Sequence, residues 1–448
     1  MAKNKIQYQC SNCGAFSSSW SGKCHSCGEW NTITEELIID NVQSATSKGL
    51  SLKSIGINEI KKSQIEKRIP SGIEDVDLVL GGGFVIGSIN LLAGQPGIGK
   101  STLLLQIASL VSKDYKVLYI SGEESINQIA MRAKRLGVES SNLKLASSSV
   151  TDDIAKTISE AKFDLAIIDS IQTMKLEAVG SAPGSVSQIT NSTHLLSMVA
   201  KETNTALVLV GHVTKEGSIA GPKVLEHIVD VVLQLEGDRY GGLKLLRGVK
   251  NRYGSTNETG IFDMQDKGLI PVSNPSATLL AERQISDGSI VLATLEGSRP
   301  LLVEVQALVN KTNYGYPKRA ASGIDLNRVN LLIAMLEKRT KLNLADQDIY
   351  INIVGGIKIS EPAADLAVAM AIASASKGMQ LKKNAVVFGE LGLSGEIRHV
   401  PNIEKRLSEA KKLGFDGGIG PVVRTGKKPS NLFSVSNIKD ALNSFLST

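Results

Sequence analysis

One nine-residue stretch constrains this chain more than any other: Gly94-Gln-Pro-Gly-Ile-Gly-Lys-Ser-Thr102. An apolar run, Ser88-Ile-Asn-Leu-Leu-Ala93, precedes it, and another, Leu103–Leu110, follows. Strand, glycine-rich loop and helix form the setting in which G-x4-G-K-[ST] cradles phosphate. Glycines let backbone N–H groups converge on one anion, and the following helix points its positive end at the same place. Gly94, Gln95, Pro96, Gly97, Ile98, Gly99, Lys100, Ser101 and Thr102 are therefore expected to line a nucleotide-phosphate site. Lys100 would reach the β- and γ-phosphates, and the Ser101 hydroxyl would coordinate Mg2+.

Further apolar runs alternate with helical patterns, which predicts a parallel sheet covered on both faces. Lys116–Ser121 leads into Gly122-Glu123-Glu124. Phe163–Asp169 ends in a carboxylate suited to a second-shell Mg2+ role. Glu123 or Glu124 could orient or activate water, although acids at a helix start also simply favour its dipole. Thr205–Gly211 is followed by His212, which is either a γ-phosphate sensor or an ordinary loop histidine.

All four cysteines fall within residues 10–27, as Cys10-x2-Cys13-Gly and Cys24-x2-Cys27-Gly. Two such knuckles supply four sulfurs to one tetrahedral Zn2+ with no open position, so the site is structural. His25 is expected at the surface, and Trp20 and Trp30 are expected to pack on this small module.

Apolar residues at 42% and charged residues at 21% exclude a disordered chain. No apolar run reaches about 18 residues, which argues against a membrane span. The N-terminus lacks the apolar core of a secretory signal, so the expected compartment is cytoplasmic. Charge is uneven: residues 271–448 carry 22 Lys+Arg against 16 Asp+Glu, while residues 66–270 carry 21 against 23. The basic excess suits contact with a polyanion. Its candidates are Lys311, Lys318, Arg319, Arg328, Lys338, Arg339 and Lys341. Aromatic residues make up only 4%, so a broad base-stacking platform is not expected.

The glycine-rich Gly81–Ser88, the phosphate loop, Tyr119–Ser125 and Ile168–Thr173 together resemble the RecA/DnaB superfamily of ATPases. With Lys250-Asn-Arg-Tyr-Gly254 and the cysteine knuckles, the chain resembles the bacterial RadA (Sms) family of DNA recombination and repair proteins, over essentially its whole length. Tyr253 stands where that family usually has Phe. The resemblance implies a RecA-like P-loop α/β core that binds ATP with Mg2+ and assembles as a homo-hexameric ring. Glu123 would be the catalytic glutamate, beside Lys100 and Asp169, while Lys250 and Arg252 would reach a neighbour's γ-phosphate. Single-stranded and branched DNA would be the substrates, and a recombinase such as RecA the partner. The implied activity is an ATP-dependent DNA translocase or helicase promoting branch migration. The alternative is a non-motor regulatory ATPase scaffold of the same superfamily.

Residues 271–448 are similar to the proteolytic domain of the Lon family, an α+β fold. The stretch that carries the family's serine nucleophile matches Glu361-Pro-Ala-Ala-Asp365, which puts Ala363 at the nucleophile position. The lysine position falls on Glu404, next to Lys405. Acyl transfer needs a nucleophile and a base, so peptidase activity is not expected. The expected organisation is a four-Cys zinc module at 1–34, a linker at 35–65, the ATPase core at 66–270 and the Lon-like domain at 271–448.

Overall fold

The computed structural model describes residues 5–10, 12–17, 19–38, 67–138, 140–213, 219–220, 224–237, 242–313, 315–424 and 427–447. The chain forms two compact units. The first is Met1–Glu236 with Leu245–Thr256 and Met264–Pro271; the second is Gly237–Lys244 with Asn257–Asp263 and Val272–Thr448.

The first unit begins with a three-stranded antiparallel sheet, ordered Phe16–Ser17, Lys5–Cys10, Ile33–Ile38, in which Cys10 lies opposite Ile33. Its buried core among the described residues is Cys10, Cys24 and Ile33. So small a core needs a further staple. Of the linker expected over 35–65, residues 35–38 complete the third strand; the remainder lies outside the described residues.

The main sheet of this unit runs in parallel through Val231–Gly237, Ile89–Gly94, Ala206–Val213, Leu165–Asp169, Val117–Ser121 and Leu143–Ser147. Ile89–Gly94 and Val117–Ser121 are buried throughout, which is why they read as continuous apolar runs. Alternation sorts their side chains by face. Ile89, Leu91, Leu118, Ile120, Ala166, Ile168, Leu207 and Leu209 pack with Ile154 and Ile158 of helix Thr151–Ala161 and with Ile189 and Leu196 of helix Val186–Thr203. Leu92, Val208 and Leu233 turn to the other face, toward Leu103, Leu104 and Ile107 of helix Lys100–Val111. The register sets Gly94 opposite His212 and Ser121 opposite Asp169. All four therefore emerge at the carboxyl ends of the strands, where open α/β sheets bind ligands.

The second unit is built on a mixed seven-stranded sheet, ordered Arg319–Ser322, Gln347–Ile353, Arg299–Lys311, Ser289–Glu296, Ala385–Val387, Gly417–Pro421, Leu432–Val435. The stretch 386–398 is divided between two sheets. Ala385–Val387 pairs in parallel with Ser289–Glu296 and Gly417–Pro421, while Glu390–Leu391 and Ile397–Arg398 form a hairpin. Helix Asp365–Lys377 is buried from Asp365 to Ser374, because its alanines let it pack closely on every side. No helix among the described residues is long and apolar enough to cross a membrane.

Candidate active site and metal centre

The phosphate loop leaves Ile89–Gly94 and enters helix Lys100–Val111 through Gly97 at φ 80° and Gly99 at φ 114°. Both angles favour glycine. At Gly99 space matters as well: a Cβ there would lie 2.5 Å from Met264 Cε. At Gly94 it would lie 2.7 Å from the Leu235 carbonyl oxygen.

The loop borders a cleft of about 440 Å3 whose walls include Pro96, Gly97, Gly99, Lys100, Ser101, Thr102, Glu123, Asp169 and His212. The structure thus brings together residues that sequence reasoning nominated from four separate segments. Lys100 is 4% exposed. Its Nζ donates to the carbonyls of Gly94 at 2.8 Å and Gln95 at 3.0 Å, and lies 3.2 Å from His212 Nδ1. Burial pushes the Lys100 amine down to about 8, against the opposing pull of Asp169 and Glu123. Burial, and then the charge on Lys100, also lowers the His212 pKa.

Asp169 Oδ2 accepts a 2.7 Å hydrogen bond from the Tyr119 hydroxyl. That bond, burial and the charge of Asp169 lie behind the well-raised Tyr119 pKa, with burial the largest cause. Glu123 Oε1 accepts from Ser170 Oγ at 2.9 Å and lies 3.9 Å from His212 Nε2. Glu124 and Arg132 line the same cleft but are held to each other in an ion pair. Of the two glutamates, Glu123 is the more exposed and is the one not paired with that arginine. Sequence reasoning missed Tyr119 and Ser170 as partners of the acidic groups, since neither belongs to a phosphate-binding pattern.

Lys250 and Arg252 lie elsewhere. Lys250 Nζ donates to the carbonyls of Glu226 at 2.5 Å and Val229 at 2.7 Å. Burial, followed by repulsion from Arg252, lowers its pKa. Arg252 Nη1 donates to Asp230 Oδ1 at 2.9 Å, and Asp230 Oδ2 accepts from the Ile89 N–H at 3.0 Å. Ile89 begins the strand that Gly94 ends. Five residues at ~3.3 Å each put Arg252 about 17 Å from the phosphate loop, at the opposite edge of the sheet. The turn is fastened there: Arg68 Nη2 donates to the Tyr253 carbonyl at 2.8 Å, and Asn251 Nδ2 donates to the carbonyls of Val79 and Leu80.

The four cysteines form one cluster. Their sulfurs all lie within 4.8 Å of one another, with Cys10 and Cys27 3.7 Å apart and Cys13 and Cys24 3.6 Å apart. Four sulfurs ~2.3 Å from a tetrahedral Zn2+ would stand about 3.8 Å from one another, so the cluster fits the ion. Each knuckle turns on a glycine at positive φ, Gly14 or Gly28, whose N–H donates to Cys10 O or Cys24 O at 2.9 Å. Burial opposes ionisation of Cys10, yet the Thr32 hydroxyl, 3.2 Å from Sγ, and the N–H groups of Cys13 and Asn12 hold its thiol down at about 6. At Cys13 the Ala15 N–H favours the thiolate, but burial and the three neighbouring sulfurs outweigh it and push the thiol up to about 12. Four thiolates cannot coexist there without a cation. His25 is exposed, as expected. Trp20 and Trp30 differ from expectation: they are 62% and 67% exposed rather than packed, and Lys23 lies over the Trp30 ring.

In the second unit Ala363 is 1% exposed and packs with Val291, Val386 and Phe388. No hydroxyl stands at this position. Glu404 and Lys405 turn to solvent. The cation aimed at this segment is instead Arg406, fully buried, which pairs with Glu361 and donates to the Ala293 carbonyl at 2.6 Å. Arg328 also departs from its expected role as a surface cation. Its Nε donates to Asp365 Oδ1 at 2.8 Å and its Nη2 pairs with Oδ2, so it neutralises a buried carboxylate. Lys311, Lys318, Lys338, Arg339 and Lys341 are exposed and Arg319 is half-buried. Pairing of Lys311 with Gln347 and of Arg319 with Ile349 gathers Lys311, Lys318 and Arg319 at one end of the sheet.

Comparison with known families places an AAA domain at residues 59–218, a rubredoxin metal binding domain at 8–35 and the subunit ChlI of Mg-chelatase at 323–423. Among solved structures, the RadB recombinase aligns with a TM-score of 0.38 and 20% identity, covering 46% of this chain and 100% of that one. The fold class expected from sequence holds: a RecA-like core, a four-Cys zinc module and a Lon-protease-like C-terminal domain. Curated relatives carry the assignment further. The "DNA repair protein RadA" of Halalkalibacterium halodurans is 46% identical and that of Aquifex aeolicus 46% identical, each alignment covering 99% of both chains. The protein of the same description from Listeria monocytogenes is 49% identical over 92% of this chain and 91% of its own. On identity of that degree along almost its entire length, the chain belongs to the RadA family of DNA repair proteins.

Proposed function

We propose that this protein is an ATP-driven DNA translocase that extends branched intermediates of recombination. The observation that carries the reading is the division of its charged machinery between two edges of one sheet. Lys100, Glu123, Asp169 and His212 meet at one edge, and Lys250 and Arg252 stand at the other. A single subunit cannot bring both sets to one nucleotide, whereas a head-to-tail ring does so at every contact.

In such a site the phosphate loop and Lys100 hold the β- and γ-phosphates, and Ser101 and Asp169 serve Mg2+, which neutralises charge on them. Glu123 takes a proton from water as the water oxygen bonds to the γ-phosphorus and the bond to ADP breaks. His212 senses the γ-phosphate. The neighbour's Lys250 and Arg252 stabilise the charge that develops on the transferring group. The exposed cations Lys311, Lys318 and Lys341, with the half-buried Arg319, support contact with the DNA backbone irrespective of sequence. The cytoplasmic partner that loads the DNA would be a recombinase of the RecA type, and the ring a hexamer.

The test is the ATPase rate with and without single-stranded DNA over a salt series, together with branch extension on a three-stranded substrate. Wild type should be stimulated by DNA and should extend the branch, and Lys100→Ala should do neither. Equal extension by both proteins would sink the motor. Turnover indifferent to DNA would favour the regulatory scaffold.

A further inference from the structure

We propose that Ser170 is a positioning residue for the water-activating carboxylate of Glu123; the inference rests on the proposed role of Glu123. Ser170 follows the strand Leu165–Asp169 and is fully buried. Its hydroxyl donates to Glu123 Oε1 at 2.9 Å. The Glu123 side chain is otherwise 52% exposed, and a half-exposed glutamate left untethered samples several rotamers. One bond to Oε1 restrains it and leaves Oε2 outside that bond, on a side chain that lines the cleft.

The surroundings are arranged to keep that bond. The Gly122 N–H donates to the Asp169 carbonyl at 2.9 Å. A Cβ at Gly122 would lie 2.2 Å from Thr173 Oγ1, so only a bare backbone lets the two segments come this close. Thr173 Oγ1 in turn donates to the Ser170 carbonyl at 2.9 Å. On the other segment Ser121 Oγ accepts from the N–H groups of Glu123 at 3.2 Å and Glu124 at 2.9 Å. Ser121 thus fixes the glutamate's backbone and Ser170 its carboxylate. His212 Nε2 stands 3.9 Å from Glu123 Oε1, in ion-pair range when protonated but beyond hydrogen-bond reach. The directional restraint on Oε1 is the serine's hydrogen bond.

The experiment measures kcat, KM and ATP affinity of the full chain as wild type, Ser170→Ala, Glu123→Gln and the double variant. Misaligning a general base without removing it should lower kcat about tenfold in Ser170→Ala and leave ATP affinity unchanged. In the Glu123→Gln background the same substitution should cause no further loss, because the group it positions is already gone. Unchanged kcat in Ser170→Ala, an equal loss in both backgrounds, or a parallel fall in ATP affinity would each overturn the positioning role. A wild-type rate in Glu123→Gln alone would reject the base itself, and that result is visible without any Ser170 variant.

Discussion

If ATP is hydrolysed between subunits, two inactive variants should repair each other when mixed. Lys100→Ala destroys the phosphate-holding edge of a subunit and keeps its Lys250. Lys250→Ala does the reverse. The separation of about 17 Å between the edges exceeds the reach of either side chain, so no conformational adjustment within one chain can substitute. In an equal mixture whose subunits have reassorted, about one contact in four joins an intact Lys100 to an intact Lys250 in a head-to-tail ring. ATP turnover should therefore recover to about a quarter of wild type per subunit, from near zero in each variant alone. Lys250 should also show its role in the type of defect. In the free subunit its Nζ is held by two carbonyls, Glu226 and Val229. Those bonds come from an ammonium and are charge-assisted, and bonds from the same ammonium to a phosphate anion, where both partners are charged, offset their release. Lys250→Ala should thus bind ATP nearly normally while hydrolysing it slowly. The assay is steady-state phosphate release, with donor- and acceptor-labelled chains reporting reassortment. Exchange of labelled subunits with no recovery of turnover would refute the trans-acting arrangement.

Other outcomes follow from single sites. Chelation, or Cys13→Ala, should release zinc and change tryptophan emission. The chain's 2 tryptophans, Trp20 and Trp30, both lie in the zinc module, so that signal reports the module alone. Unchanged emission after complete metal loss would show that the module folds without it. Because the Lys100 amine is lowered to about 8 by burial, the unfolded chain binds the extra proton between about pH 8 and its ordinary value of 10.5. Stability of the nucleotide-free protein, relative to Lys100→Met, should therefore rise with pH across that window and be flat below it; a falling difference would exclude the buried, charged lysine. Arg328→Ala should cost about 2 kcal/mol in denaturant unfolding by leaving Asp365 buried and unpaired, with no change in the salt slope of DNA binding. A shallower slope would return Arg328 to the DNA surface.

What could be read from the sequence depended on how far apart the interacting residues stand. The phosphate loop was legible because strand, glycines and helix are consecutive, and each has a local physical reason. The cysteine pairs were legible because knuckle spacing is itself the geometry. The ends of the parallel strands could be guessed to hold Glu123, Asp169 and His212, since alternating strands and helices oblige those ends to meet. The choice between Glu123 and Glu124 was not legible. It turns on Arg132, one helix further along, claiming the second glutamate. Nor did the sequence show that Asp230, which belongs to no motif, anchors Arg252 to the start of the phosphate-loop strand.

The Lon-like domain makes the same point in a sharper form. Ala363, which the Lon resemblance sets at the nucleophile position, lies in a packed interior, where a cavity lined by polar groups would be costly. Ala363 sits in the apolar cluster with Phe388 and Ile403, and beside it Glu361 accepts from Thr294 Oγ1, the Leu295 N–H and Arg406. Arg406 is in turn satisfied by the carbonyls of Ala293 and Pro401. The network draws on three segments: Ala293, Thr294 and Leu295 of strand Ser289–Glu296, Glu361 in the turn before Asp365, and Arg406 of helix Ile403–Lys412 with Pro401 just before it. A buried arginine with all its partners in place is stabilising only as a set, and removing one partner is strongly destabilising. The interior is organised around an ion pair that ties three segments together. A serine at Ala363 would place a hydroxyl at a position only 1% exposed, where the buried cation Arg406 is paired to Glu361 and offers no base, so Ala363→Ser should remain without peptidase activity on unfolded casein. Cleavage by that variant would mean that Arg406 is not the fixed structural cation its contacts describe.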